Sequence, residues 1–193
     1  MKRNVIIAAV TAAVLIGGGT ATALAVSGDG ERERKQDTKS DTTVERARGT
    51  VTVTAAEAIA AALRETPGTA VSADLDDEDE DEDNGSPVWE VDVLGSGTTW
   101  HKVRIAPDTA TVLHTHTERD DEDAAEARTA LARTSLTAAE AAHATATKGT
   151  VTSVDLDETG TWETETVNTT GTERDWRVDG QGGAATVTVD EDN

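Results

Sequence analysis

Asp76 to Asp83 is an unbroken run of carboxylates, the side chains that hold calcium when a turn spaces them around the ion. Counted against the calcium-loop spacing from Asp79, acids fall at positions 1, 3 and 5 and Glu90 falls at position 12, but Gly85 sits at position 7 where position 6 is needed. Counting from Glu80 repairs the glycine and puts Val91 at position 12. Neither frame works, so the run reads as a solvated, self-repelling loop that attracts divalent cations weakly and diffusely. His114, His116 and Glu118 would share one face of a strand, and two imidazoles with a carboxylate are a zinc-type donor set. Only His101 and His143 remain as further imidazoles, and a polar strand exit explains the trio equally well. Ser135 and Ser153 lie in no Gly-x-Ser-x-Gly elbow, and Gly95-Ser96-Gly97 has the composition of a turn. With no cysteine, thiolate chemistry, disulfides and a cysteine-linked lipid anchor are excluded. No catalytic residue, cofactor-binding residue or metal ligand is therefore assigned, and no cofactor is expected. Asn168-Thr169-Thr170 fits the glycosylation acceptor pattern, but its threonine-rich setting reads more simply as a loop.

The balance of charge narrows the partners. The chain carries a formal charge of −21, which becomes −23 once Lys2 and Arg3 are set aside. Nucleic acid binding rests on cationic neutralisation of phosphate, so no nucleic acid partner is expected. Solvent, cations or a basic protein surface remain.

Residues 1–26 have the layout of an export segment. Lys2 and Arg3 precede the apolar stretch Val5–Ile16, Gly17 to Gly19 interrupt it, and Ala23-Leu24-Ala25 supplies the small residues of a cleavage site. Residues 5–26 are also long enough to remain as a membrane anchor. Both readings, signal peptide or membrane anchor, place the rest of the chain outside the cytoplasm, secreted or tethered to the cell membrane. Residues 27–49 are a disordered linker in which Val44 is the one sizeable apolar residue.

Folded structure is expected from residue 50. Thr54 and Glu57 form a capping box before an alanine-rich helix, with Ala56, Ile59, Ala60 and Leu63 on one face and Pro67-Gly68 at the exit. Alternation predicts strands over 70–76, with Val71, Ala73 and Leu75 inward, over 88–94, with Trp89, Val91 and Val93 inward, and over 100–106, with a short last strand over 111–113. One sheet face should pack the helix and the other should meet solvent. Residues 118–134 read as a charged connecting helix. Trp100 is out of phase with Val103 and Ile105, so it is either an exposed contact for a partner or turned inward by a bulge.

The pattern then recurs. Thr54-Ala-Ala-Glu-Ala58 returns as Thr137-Ala-Ala-Glu-Ala141, Gly68-Thr69 as Gly149-Thr150, Asp74-Leu-Asp76 as Asp155-Leu-Asp157, and Trp89-Glu90 as Trp162-Glu163. Strings repeated in one order, with length changes confined to turns, indicate a duplicated unit. The second copy is thinner: Ala142 and Ala146 replace Ile59 and Leu63, and Thr164 and Thr166 replace Val91 and Val93. With no Phe, no Tyr and four Trp in the chain, it should be the less stable half. The expected fold class is α+β: two tandem units, over 50–117 and 136–193, each one helix on a small antiparallel β-sheet, with the connecting helix over 118–135 between them.

At these residues the chain resembles the PepSY family. The resemblance rests on Thr54, Glu57 and Ala58, Pro67-Gly68, Trp89-Glu90-Val91 and Arg104-Ile-Ala-Pro-Asp-Thr-Ala110, and in the second copy on Thr137, Glu140, Ala141, Trp162-Glu163 and Val178-Asp179. Ala110 stands where that family usually has glycine. The resemblance implies an exported, non-catalytic domain, found among propeptides of thermolysin-like metallopeptidases, that binds and inhibits or regulates an extracytoplasmic peptidase or another envelope protein. The alternative, of a different class, is a cation-responsive acidic envelope protein whose loop over 76–83 is neutralised by calcium.

Overall fold

The computed structural model describes residues 51–76, 87–180 and 183–190. The export segment over 1–26, the linker over 27–49 and the acidic run beyond Asp76 lie outside the described residues.

Helix α1 (Ala55–Glu65) opens with the expected capping box. Thr54 Oγ1 accepts the Glu57 amide at 3.3 Å, and Glu57 Oε2 accepts the Thr54 amide at 2.9 Å. Hydrogen bonds from the Thr54 amide and then its hydroxyl hold the Glu57 carboxyl below the usual range. The buried stripe is rotated from the expected one. Ala55, Ala58, Ile59 and Ala62 are covered, whereas Ala60 is exposed and Leu63 lies at the rim with 36% exposed. Alanines on the inner side let the helix lie close to both the sheet and a second helix, and the longer leucine is left outside.

Strands β1 (Thr69–Asp76), β2 (Val88–Leu94), β3 (Thr99–Ile105) and β4 (Val112–Arg119) follow as an antiparallel meander. Helix α2 (Asp121–Leu131) connects to helix α3 (Ala138–Thr145), which precedes a second meander of β5 (Thr150–Leu156), β6 (Trp162–Val167), β7 (Glu173–Asp179) and β8 (Thr186–Val189). The class is α+β, as expected. The sheets are not two small ones, however: β1 pairs with β5, and all strands join in a single eight-stranded sheet in the order β4-β3-β2-β1-β5-β6-β7-β8. At this seam Ser72 lies opposite Asp155, Ala73 opposite Val154 and Asp74 opposite Ser153. Ser72 and Ser153 are sequence counterparts, as are Asp74 and Asp155, so the pairing is reciprocal about Ala73 and Val154.

Helices α1 and α3 pack together on one face over a shared core containing Trp89, Val91, Val93, Val103, Ile105, Val154, Trp162 and Val178. Each buried tryptophan is tied to the residue before its helix cap. Trp89 Nε1 donates to the Val53 carbonyl at 3.0 Å, and Trp162 Nε1 donates to the Leu136 carbonyl at 3.1 Å. The repeated Gly-Thr pairs also have a steric reason. A Cβ on Gly68 would sit 2.5 Å from the Leu94 oxygen, and one on Gly149 2.8 Å from the Val167 oxygen.

Three expectations need correction. The second sheet face does not simply meet solvent, because α2 crosses it over Val71 and Leu94, with Ala124 buried beneath the helix. Val71 faces this side because a register shift between Ala70 and Ser72 turns the strand, so Ala70 and Ala73 face α1 instead. The last strand of the first meander runs far beyond 111–113, to Arg119, because Asp120 is the helix cap. Asp120 Oδ1 accepts the Glu122 and Asp123 amides, each at 3.0 Å, so helical structure starts only at Asp121.

Candidate functional site

His114, His116 and Glu118, to which no metal role was assigned, share one face of β4 as the spacing implied. His114 and His116 lie opposite Arg104 and Lys102, on the sheet face away from α1. His101 is on the opposite face, with Nδ1 3.0 Å from Thr117 Oγ1, and His143 is on α3. Among the described residues no group of three or more His, Asp or Glu is arranged to hold a metal ion. Ser135 Oγ donates to the Gly180 carbonyl, and Ser153 Oγ donates to Asp155 Oδ2 at 2.6 Å; neither has a histidine partner in those bonds. Asn168 caps the β6–β7 turn, its Oδ1 accepting the amides of Thr170 and Thr172 at 2.9 Å each.

Trp100 is neither an open contact nor turned into the main core. It packs at the edge of the small cluster beneath α2, beside Ala127 and Leu131. Arg128 fastens that helix: it donates to the carbonyls of Gly95 and Gly97 in the β2–β3 turn and to Ala124 in its own helix. The Trp100 Nε1 group is buried there without a partner among the described residues.

Two further features of the sheet stand out. One is β4, the outermost strand, whose outer side has no strand partner in the sheet order. Its Leu113 is 57% exposed, the largest exposure of any sizeable apolar side chain among the described residues. Such an edge can receive an extended peptide through main-chain hydrogen bonds. The other is the polar sheet face beside α2. There Lys102 Nζ lies 2.7 Å from Glu90 Oε1, and Arg177 bridges Asp190 at 3.0 Å and Glu163 at 3.6 Å. Between these pairs Asp74, Asp92 and Asp155 converge near the seam. Burial, and then the Asp155 charge, push the Asp74 carboxyl up to about 8, against a hydrogen bond from Ser153. Burial pushes Asp92 up to about 6, opposed by Lys102. Burial also raises Asp155 and Glu163. Sequence reading passed over this group, because each aspartate alternates with apolar neighbours like any solvent-facing residue. The one signal was the recurrence of Asp-Leu-Asp in both copies, and nothing local to either copy brings them together.

The first unit is thus a helix on an antiparallel meander, with a capping box at its start and β4 at the sheet edge. Residues 52–116, from just before the capping box into β4, match the family model described as "Peptidase propeptide and YPEB domain". This stretch is similar to PepSY domains. No curated protein matches the chain. A solved structure from Clostridium difficile 630, described as "a putative lipoprotein", is similar at 20% identity and a TM-score of 0.41, over 75% of this chain and 97% of that one. Among the described residues no helix is long and apolar enough to cross a membrane.

Proposed function

We propose that this is an exported, non-catalytic protein of two tandem PepSY-like units that binds and inhibits an extracytoplasmic peptidase, or otherwise modulates an envelope protein. The observation that carries the reading is the PepSY match over residues 52–116, which ends within the open strand β4. PepSY domains act in general as propeptide or regulatory domains, which supports a protein partner and a role without turnover. The division is a signal peptide or membrane anchor over 1–26, a linker over 27–49, a first unit over 50–117, a connecting helix over 118–135 and a degenerate second unit over 136–193. Support for two related units comes from the reciprocal β1–β5 register and the paired tryptophan bonds to Val53 and Leu136.

In this reading the β4 edge pairs with an extended segment of the partner, with Leu113 filling an apolar pocket. The acidity of the chain steers a basic partner at long range, so association should weaken as salt rises. The test is a titration of residues 27–193 into a thermolysin-like metallopeptidase while peptide hydrolysis is followed. Inhibition that Leu113→Lys weakens about tenfold, the loss of one well-buried apolar contact, supports the reading. Undiminished hydrolysis at saturating protein would overturn the peptidase reading.

A further inference from the structure

The two halves meet along a thin seam. Only Ser72, Ala73 and Asp74 of β1 pair with Asp155, Val154 and Ser153 of β5, far less than the length of either strand. On one side the seam is backed by α1 and α3, whose facing residues are mostly alanine, over the core the two halves share. On the other side the reciprocal register sets two counterpart carboxyls, Asp74 and Asp155, diagonally across the seam, with the Ser153 hydroxyl opposite Asp74 and its counterpart Ser72 opposite Asp155. Ser153 Oγ gives its one proton to Asp155 Oδ2 at 2.6 Å and also engages Asp74. One hydroxyl cannot donate to both carboxylates at once. A proton on Asp74 completes the chain Asp74–Ser153–Asp155; without it, two anions face each other in a partly desolvated place.

Among the described residues Lys102 opposes the rise of Asp92, while the charges that act on Asp74 are all negative. From β2, Glu90 and Asp92 face the pair, and both add negative charge. From β6, Glu163 lies opposite Asp155 and Glu165 opposite Ser153. Lys102 of β3 is bound to Glu90, and Arg104 lies opposite Glu90 one strand farther out. Arg177 of β7 is engaged with Asp190 and Glu163. Glu118 of β4 and Asp157 after β5 add further negative charge to Asp92 and Glu163. Helix α2 turns Ala124, Ala127 and Leu131 toward this face and sends Arg128 to the β2–β3 turn.

We propose that the β1–β5 seam is an acid-closed latch, in which a proton shared through Ser153 between Asp74 and Asp155 holds the two halves in one sheet, and its loss frees the β1 and β5 edges. The sign follows from the direction of the titrations. The closed seam binds the proton more tightly than the open chain, whose aspartates titrate near 4, so closure is fully supported below that range and is lost as pH rises toward about 8. Opening then releases one proton, and its equilibrium constant rises by up to about tenfold per pH unit inside that window.

The test is amide hydrogen exchange of residues 27–193 at pH 5 and pH 8 in the presence of a chelator, corrected for intrinsic exchange. Protection of peptides covering 70–76 and 151–156 should fall at least about tenfold from pH 5 to pH 8, while 90–93 with 101–104 in the β2–β3 ladder should change much less. Asp74→Asn should hold the seam at its acid-like protection at both pH values, and Asp155→Asn provides the same comparison from the other strand should the first variant fold poorly. Seam protection that is flat with pH in the unaltered protein, or that falls in step with the β2–β3 ladder, would overturn the latch. An unchanged pH slope in both asparagine variants would overturn it as well.

Discussion

Thr164 and Thr166 are the same residue type on the same strand, yet their replacement by valine should move stability in opposite directions. Both replace valines of the first meander, Val91 and Val93, and both are buried, at 3% and 2% exposed. Thr164 lies between Val154 and Trp176 in the ladder, and its Oγ1 is enclosed without a partner among the described residues. A stranded buried hydroxyl costs about 1–3 kcal/mol of desolvation. Valine keeps the shape and removes that penalty, so Thr164→Val should stabilise by about 1–2 kcal/mol. Thr166 Oγ1 instead accepts Trp176 Nε1 at 2.9 Å, and valine there would orphan a buried indole N–H, at about 1–3 kcal/mol. Urea unfolding with the slope held constant reads both: a midpoint about 0.5–1 M higher for the first variant and lower by a similar amount for the second. A Thr164→Val protein that is no more stable than the parent, or a Thr166→Val protein that is, would refute this account of the thin second core.

Ala110 sits at φ 54, the left-handed region that disfavours a side chain by about 1–2 kcal/mol. Ala110→Gly should therefore stabilise by about 0.5 kcal/mol after the extra freedom of glycine in the unfolded chain is subtracted, which thermal unfolding can resolve. Arg128→Ala removes the bonds that fasten α2 to the β2–β3 turn, so exchange of amides over 124–131 should quicken about fivefold with little change in the main core. Thr54→Ala and Thr137→Ala each remove a helix cap at about 1 kcal/mol. Because both helices share one core, each variant should shift a single unfolding transition, and two separate transitions would show that the halves unfold independently.

The local elements were legible because their causes are local. The capping boxes at Thr54 and Thr137, the strand at Val88–Leu94 and the inward tryptophans follow from spacing alone, since a helix cap or an alternating strand is decided by a handful of adjacent residues. The PepSY resemblance was carried by the same strings and is met by the family match over 52–116. Errors arose where a single residue shifts phase. The irregularity between Ala70 and Ser72 reversed the side on which Val71 lies, and the cap at Asp120 extended β4 at the expense of α2. Neither alternation nor propensity reports a one-residue shift of register.

What the amino-acid order determined by itself is the repeated helix-and-meander pattern and the acidity, both of which live in neighbouring residues or in plain composition. Which edges meet was decided only by the tertiary structure. The joining of β1 to β5, the packing of Trp100 against the α2 cluster and the confrontation of Asp74 with Asp155 each depend on surfaces distant in the chain finding one another. Strand edges carry the same backbone donors and acceptors whatever their side chains, so no short stretch of sequence states which edge will be paired and which will stay open.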